Sequence, residues 1–459
     1  MKSRTPSALG NTMTEGKPYL HILRFTAPLL LGMLLQQLYN TVDTIIVGRF
    51  SGEAALSATG TSGTFIYFFV AMAIGFSAGN GVVVAQHYGA RDEKAVRENA
   101  STGILLLCGM GLLLTLVAIG ISRVAFRDLI AVPEDILPQA LTYFRLYAVG
   151  FLFHYAYNIF AAILRAVGDS AATMYFLLIA SVSNIFLDLL FVGAFHWGVA
   201  GAAIATTIAQ MGCCIAAYVY MVRRYPVFRF RLKEFTFSWR LAAVTLKVGL
   251  PISLQQMVVS FGLTLIQRAV NGFGTTMVAS FTVGNRIEMY INIPCNAFQT
   301  AMATYTGQNV GARKMDRVKQ GARQTILMSF VFTVLISLMV ILLRDPIIRL
   351  FSISEEAMVY CRQHLTAVAL VNVILSLYVP LFGLYQGTNH AAVPTICATC
   401  ALTTRVLVTY LFRYSSFFGY TIIWWNGLFG FCVALTIAWV IYLSGLWKRN
   451  VFVDEEETA

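Results

Sequence analysis

The chain has 459 residues, of which 58% are hydrophobic and only 12% charged, with a formal net charge of +12. Soluble domains carry about twice that charged fraction, so the composition excludes a water-facing surface for most of the chain. The positive excess collects in short loops between apolar runs, which fits membrane topology and argues against nucleic-acid binding.

The N-terminal stretch is polar and lacks the apolar core and cleavage site of a signal peptide. Twelve apolar runs follow, near 22–47, 56–86, 101–122, 138–165, 173–195, 199–222, 246–270, 277–307, 324–343, 357–387, 393–413 and 424–447. A run of about 20 residues suffices to span a bilayer, so the longer ones are expected to tilt, kink or protrude. The expected fold is an all-α polytopic membrane protein of twelve transmembrane helices. With the N-terminus inside, the inner loops hold Arg91, Lys94 and Arg97, the basic run from Arg223 to Lys247, and Arg313 to Arg323. The outer loops hold far fewer, among them Arg49, Arg123 and Arg344. That asymmetry places both termini in the cytoplasm.

Two loops repeat. AQHYGARDEKAVR at 85–97 and GQNVGARKMDRVK at 307–319 share Gln, Gly, Ala, Arg and Val at an offset of 222. A similar offset pairs Pro28 with Pro251 and Phe50 with Phe273. Gly89 and Gly311 suit helix C-termini, where a positive φ is often needed. The chain therefore reads as two six-helix parallel repeats. These are an N-terminal lobe (1–222), a cytoplasmic basic linker (223–243), and a C-terminal lobe with a short cytoplasmic tail (244–459). The linker's alternating Phe, Trp and Arg suit an interfacial segment. Two parallel halves around a central cleft is the plan of an alternating-access transporter.

Ionisable residues inside spans mark function by default. Asp43 lies five residues before an expected helix end near Gly48, about 7–8 Å deep. Asp188 lies seven residues before Phe195, about 10 Å deep. Asn184 is one turn from Asp188, Thr206 lies at similar depth on the next helix, and Asn158 lies deeper. Two carboxylates at one depth, with Asn and Thr near, suit a proton or a hard cation. If close together they cannot both stay ionised cheaply. Pro28 reads either as a tolerated first-turn proline or as a bending point.

The C-terminal half has no copy of this pair, since Asp43 aligns with Ile266 and Asp188 with Val408. It holds Arg286, Glu288 and Arg405 instead. Arg286 and Glu288 point to different helix faces. Arg405 is the possible partner of Glu288, in a structural ion pair or against substrate. The histidines at 21, 87, 154, 196, 364 and 390 are scattered, mostly near expected helix ends, so no catalytic constellation and no enzyme is expected. Cys397 and Cys400 form a lone CxxC inside a span, which points to packing rather than a metal site. No GxxxxGK[ST] loop is present, so ATP is not expected to drive transport.

LYNTVDTIIVGRF, the paired YGARD and VGARK loops, ILRAVGDSAATM, SNIFLDLLFV and GVAGAAIATTIAQ, in this order and spacing, resemble the multidrug and toxic compound extrusion (MATE) family. The resemblance implies a twelve-helix, V-shaped secondary antiporter of the bacterial inner membrane. It would expel cationic or amphipathic organic compounds in exchange for protons or sodium ions, without other cofactors. It also implies an ion-coupling cluster at Asp43, Asn158, Asn184, Asp188 and Thr206, with Pro28 as the bending position. Glu288, Arg286 and Arg405 become candidates for lining the substrate cleft. A lipid-linked saccharide flippase of a related superfamily is the alternative, kept open by Arg268, Arg286 and Arg405.

Overall fold

The computed structural model describes residues 12–129, 132–351, 354–449 and 451. Residues 1–11 and 452–459, and with them the expected placement of both termini, lie outside the described residues. Among the described residues the regular structure is entirely helical. In chain order the helices are α1 (Pro18–Gly52), α2 (Ala54–Gly89), α3 (Glu93–Val124), α4 (Leu137–Val149), α5 (Phe151–Ala166), α6 (Ser170–Asp188) and α7 (Gly198–Arg224). The second half comprises α8 (Trp239–Asn271), α9 (Thr275–Gly311), α10 (Met315–Arg349), α11 (Glu355–Ser376), α12 (Val379–Gly387), α13 (Ala392–Phe412) and α14 (Ile422–Ser444).

Ten of the described segments are long and apolar enough to cross a membrane, or eleven when α4 and α5, bent by 45°, count as one span. The twelfth expected span, α9, is long enough at 37 residues. It carries Arg286, Glu288, Asn285, Asn292 and Gln299 within its length, which lowers its hydropathy.

The repeat is visible in the backbone of its corners. Gly52 (φ 83°, ψ −178°) separates α1 from α2, and Gly274 (φ 93°, ψ 172°) precedes α9. That region of backbone space is essentially reserved for glycine. Arg91 (φ 60°) matches Arg313 (φ 57°), and Gly168 (φ 94°) matches Asn389 (φ 66°). All four close the same motif. The Arg91 N–H donates to Tyr88 O and the next N–H, Asp92, to His87 O; Arg313 and Lys314 do the same to Val310 and Asn309. Gly168 with Asp169, and Asn389 with His390, repeat it. This paired bonding terminates a helix by satisfying its last carbonyls. The expectation that Gly89 and Gly311 hold the positive φ is corrected: both stay helical, and the left-handed residue is the arginine two positions on.

An added Cβ at Gly52 or Gly274 would meet nothing within 4 Å, so substitution there tests backbone strain alone. Gly52→Ala and Gly274→Ala are each expected to cost about 1–3 kcal/mol. Thermal unfolding in detergent checks this; an unchanged midpoint would show that the positive φ is not held.

The chain divides into two compact units. One comprises Ala27–Ser253; the other comprises Met13–Thr26 and the residues from Leu254 onward. Both divisions fall beside the matched prolines, Pro28 in α1 and Pro251 in α8. Because α1 begins at Pro18, Pro28 lies in its third turn, which corrects the first-turn reading. An interior proline removes a backbone hydrogen bond and crowds the carbonyl four residues earlier, here that of Arg24.

In the first unit, α2 and the start of α8 meet through small residues. Gly75 and Gly79 face Gly249 and Ser253, and Asn80 Nδ2 donates to Thr245 Oγ1 at 3.3 Å. The Gly- and Ala-rich run of α2 therefore serves close packing. Phe65, Phe69, Phe126, Phe144 and Phe151 form an aromatic core beside it, with Phe69 and Phe151 stacked at 5.0 Å. The linker buries Phe228 and exposes Trp239. Arg97 of α3 pins it, donating to Arg229 O at 2.8 Å, lying 5.0 Å from the Phe230 ring and pairing with Glu234. The backbone N–H of Arg231, and then the Arg97 guanidinium, hold the Glu234 carboxyl below its usual range.

In the second unit, Met13 N–H donates to Gln308 Oε1 at 2.7 Å, Arg317 Nη1 to Gly16 O at 2.9 Å, and Lys314 Nζ to Thr14 O at 2.9 Å. These bonds strap the stretch before α1 to the α9–α10 corner.

Candidate functional site

α1 continues to Gly52, so Asp43 lies about 13 Å before the break rather than near a helix end. Asp188 is the last α-helical residue of α6; a π-helical segment, Leu189–Ala194, follows it. Such widened turns recur at functional positions because they re-aim a side chain. Asp188 is fully buried. The carboxyl groups of Asp43 and Asp188 lie within hydrogen-bonding reach of each other. Neither Asp188 oxygen meets a donor, and neither does Asp43 Oδ1. Two carboxylates are acceptors only, so their contact becomes a hydrogen bond only when one carries a proton.

Asn184, one turn before Asp188, donates from Nδ2 to Thr206 Oγ1 at 3.4 Å. Thr206 passes its own proton to Ala202 O at 3.0 Å. Asn184 Oδ1 remains without a donor. The cluster therefore offers four buried oxygens that lack protons. Buried acceptors left unpaired are costly, and a proton or small cation removes that cost.

Tyr39, one turn before Asp43, and Tyr143 and Tyr147 of α4 surround the carboxyls at electrostatic range. Tyr147 continues through Phe151, at 6.0 Å, into the aromatic core. Sequence reasoning missed these three tyrosines. Their signals were helical spacing: Tyr39 at i−4 from Asp43, and Tyr143 and Tyr147 at i and i+4. Asn158 spends its amide on His154 O at 2.8 Å, in its own helix. Both ring nitrogens of His154 are buried without a partner.

In the second unit, Glu288 and Arg405 line one small cavity with Asn285, His364, Asn372 and Trp424. They interact electrostatically, and Asn292, one turn along α9, lies near Glu288. Arg405 Nε donates to Asn426 Oδ1 at 2.7 Å, and its guanidinium sits 5.1 Å from the Phe431 ring. Arg286 is not among the lining residues, as the two-residue spacing from Glu288 required. The cavity measures about 20 Å³, room for water and far too small for a drug-sized compound.

His364 is an exception among histidines read as lying mostly near helix ends. It lies inside α11, 2% exposed, and clusters with Phe281 at 5.2 Å and Trp424 at 4.5 Å, which themselves lie 6.2 Å apart. Gly284 makes the room, since a Cβ there would overlap the imidazole.

The chain matches the MatE family over residues 28–190 and 251–411, one stretch in each half. It is 27% identical over 376 residues to the "Probable multidrug resistance protein YpnP" of Bacillus subtilis (strain 168), covering 82% of this chain and 84% of that one. Its fold is similar to two solved structures at 25% identity. One is a MOP superfamily transporter from Pyrococcus furiosus Vc1 (DSM3638), described as having a binding pocket of reverse polarity that suggests a different function. Its TM-score is 0.89, covering 98% of this chain and 100% of that one. The other is an outward-facing multidrug resistance MATE family transporter, with a TM-score of 0.90, covering 97% of this chain and 100% of that one.

Proposed function

Because the chain belongs to the MatE family of multidrug efflux transporters, we propose that it exports cationic or amphipathic organic compounds by antiport against protons or sodium ions. The observation that carries this reading is the approach of the half-buried Asp43 carboxyl to that of the buried Asp188, with three of their oxygens, Asp43 Oδ1 and both of Asp188, buried without donors. An incoming ion supplies what these oxygens lack. Asn184 and Thr206 complete the ion site, and Asn158 lies on α5 as the deeper polar group. Ion binding changes the charge on α1, and Pro28, in the interior of that helix, is the point at which α1 bends in response. Glu288 and Arg405, with Arg286, remain the polar groups through which the second unit takes part in transport. The protein acts in the bacterial inner membrane with both termini cytoplasmic, without ATP and without enzymatic chemistry.

The flippase alternative needs several arginines free for phosphate. Arg405 is instead engaged by Asn426 and Glu288, and neither Arg268 nor Arg286 lines its cavity.

The test is transport of a fluorescent organic cation in proteoliposomes, with pH and sodium gradients imposed separately. One of the two is expected to drive uphill movement. Transport that responds to neither gradient overturns the antiport reading.

A further inference from the structure

We propose that Glu288 is a proton-exchanging carboxyl of the second unit, and that protons reach it from the pocket beside Arg344 and Arg362 by way of Trp424.

Four side-chain atoms on residues that line this cavity are buried and have no partner: His364 Nδ1, Asn372 Nδ2, Asn372 Oδ1 and Trp424 Nε1. Asn372 is 1% exposed and Trp424 3%. Unpaired donors and acceptors around a water-sized cavity are the setting in which ordered water sits, because water satisfies both kinds. The carboxyl at that cavity is Glu288.

The charged and titratable groups that face it are few. Arg405 comes from α13 and His364 from α11; α10, α12 and α14 present none to the cavity. Tyr378, in the turn before α12, lies at electrostatic range of Arg405. Ionised, Glu288 balances the Arg405 guanidinium. When an excess proton from bulk arrives as hydronium, relayed through cavity water, the carboxylate becomes a neutral acid, the hydronium is left as water, and Arg405 is left as the one net charge. Protonation thus changes the cavity from neutral to singly positive. That is a change large enough to bias how α9 and α13 pack, and nothing in it depends on Asp43 or Asp188.

The route is given by a shared wall. A larger, open pocket of about 450 Å³ is lined by Arg344 of α10, by Val359, Arg362, Gln363 and Thr366 of α11, and by Thr421, Trp424 and Trp425. Trp424 lines both this pocket and the Glu288 cavity. Its indole, stacked on His364, is the partition between them. At the wall of this pocket Arg344 Nη1 donates to Thr366 Oγ1 at 2.9 Å, and Arg362 Nε to Asp345 Oδ1 at 2.7 Å.

Infrared difference spectroscopy on the full chain in nanodiscs, titrated between about pH 4 and pH 10, reads carboxyl protonation directly. The Asp43→Asn/Asp188→Asn background removes the other buried pair, so failure there cannot be confused with failure of the first-unit site. The expected result is a titrating protonated-carboxyl band in that background, absent in Glu288→Gln and kept, shifted, in Glu288→Asp. Absence of any band that depends on residue 288 overturns the proposal; if the Gln variant does not fold, the shift in the Asp variant decides. For the route, transfer to deuterated buffer shifts the band at a rate set by access. Trp424→Ala is expected to raise that rate roughly tenfold, and Trp424→Phe, which keeps a ring in place, to leave it near the parent's. An unchanged rate in Trp424→Ala overturns the route.

Discussion

Asp43→Asn is expected to lower ion-driven efflux sharply while the protein still folds and inserts. The side chain keeps its size, so packing is undisturbed, but an amide brings two N–H donors to face Asp188, whose oxygens have none. The cluster is then satisfied permanently, as it is in the wild type only when a proton or cation is present. The variant mimics the ion-bound state and cannot leave it. Coupling free energies between sites run at about 1–3 kcal/mol, or about 5–150-fold, so gradient-driven efflux should fall at least to the middle of that range. Asp188→Asn should do the same, and the double variant should be little worse than either, because the two carboxyls act as one unit. Transport rates in proteoliposomes, together with drug binding measured without a gradient, separate loss of coupling from loss of substrate affinity. Full gradient-driven efflux by Asp43→Asn would sink the coupling role. Where the proton is the coupling ion, the wild type's efflux is expected to depend on pH, and that dependence should flatten in the variant.

Gly79→Ala, a change of one methyl group, is expected to destabilise the first unit markedly. The added Cβ would lie 2.6 Å from Gly249 N and 2.8 Å from Thr245 O. Those are backbone atoms of α8, which cannot rotate away as a side chain can, so the two helices must separate. Overpacking of this kind costs about 1–3 kcal/mol or more. Separation would also strain the neighbouring Asn80–Thr245 hydrogen bond. Gly109→Ala on α3 is the matched control, since a Cβ there meets nothing within 4 Å. Added to a helix interior, that methyl should be neutral or stabilising by up to about 1 kcal/mol. Melting temperature and the monodisperse fraction on size exclusion report both. Equal behaviour of the two variants would show that α2 and α8 do not approach this closely.

Much of the fold was legible in composition and loops. Spans were readable because a bilayer demands long apolar helices whatever their partners. The twofold repeat was readable at Gly-Ala-Arg because a polar corner keeps its chemistry. It was not readable at Gly52 and Gly274, or at Gly168 and Asn389, where the conserved quantity is a backbone dihedral and the flanking side chains differ. Depth counting put Asp43 and Asp188 at similar levels, although α1 runs four residues past its expected end and α6 widens after Asp188. The tyrosines around the pair went unnoticed, as aromatic residues in a span usually mean packing.

By itself the sequence determined that the chain is a helical membrane protein built as two related halves, and that its buried carboxylates are unequally shared between them. These follow from hydropathy, charge placement and repetition, which are properties of residues in order. Only the tertiary structure decided that the Asp43 and Asp188 carboxyls come within reach of each other, and that His364 is a buried ring clustered with Phe281 and Trp424. It also decided that Arg286 stands apart while Glu288 and Arg405 share a cavity. Those are statements about which helix faces meet. Helix rotation and crossing are set by the packing of every neighbour at once, so no local pattern encodes them.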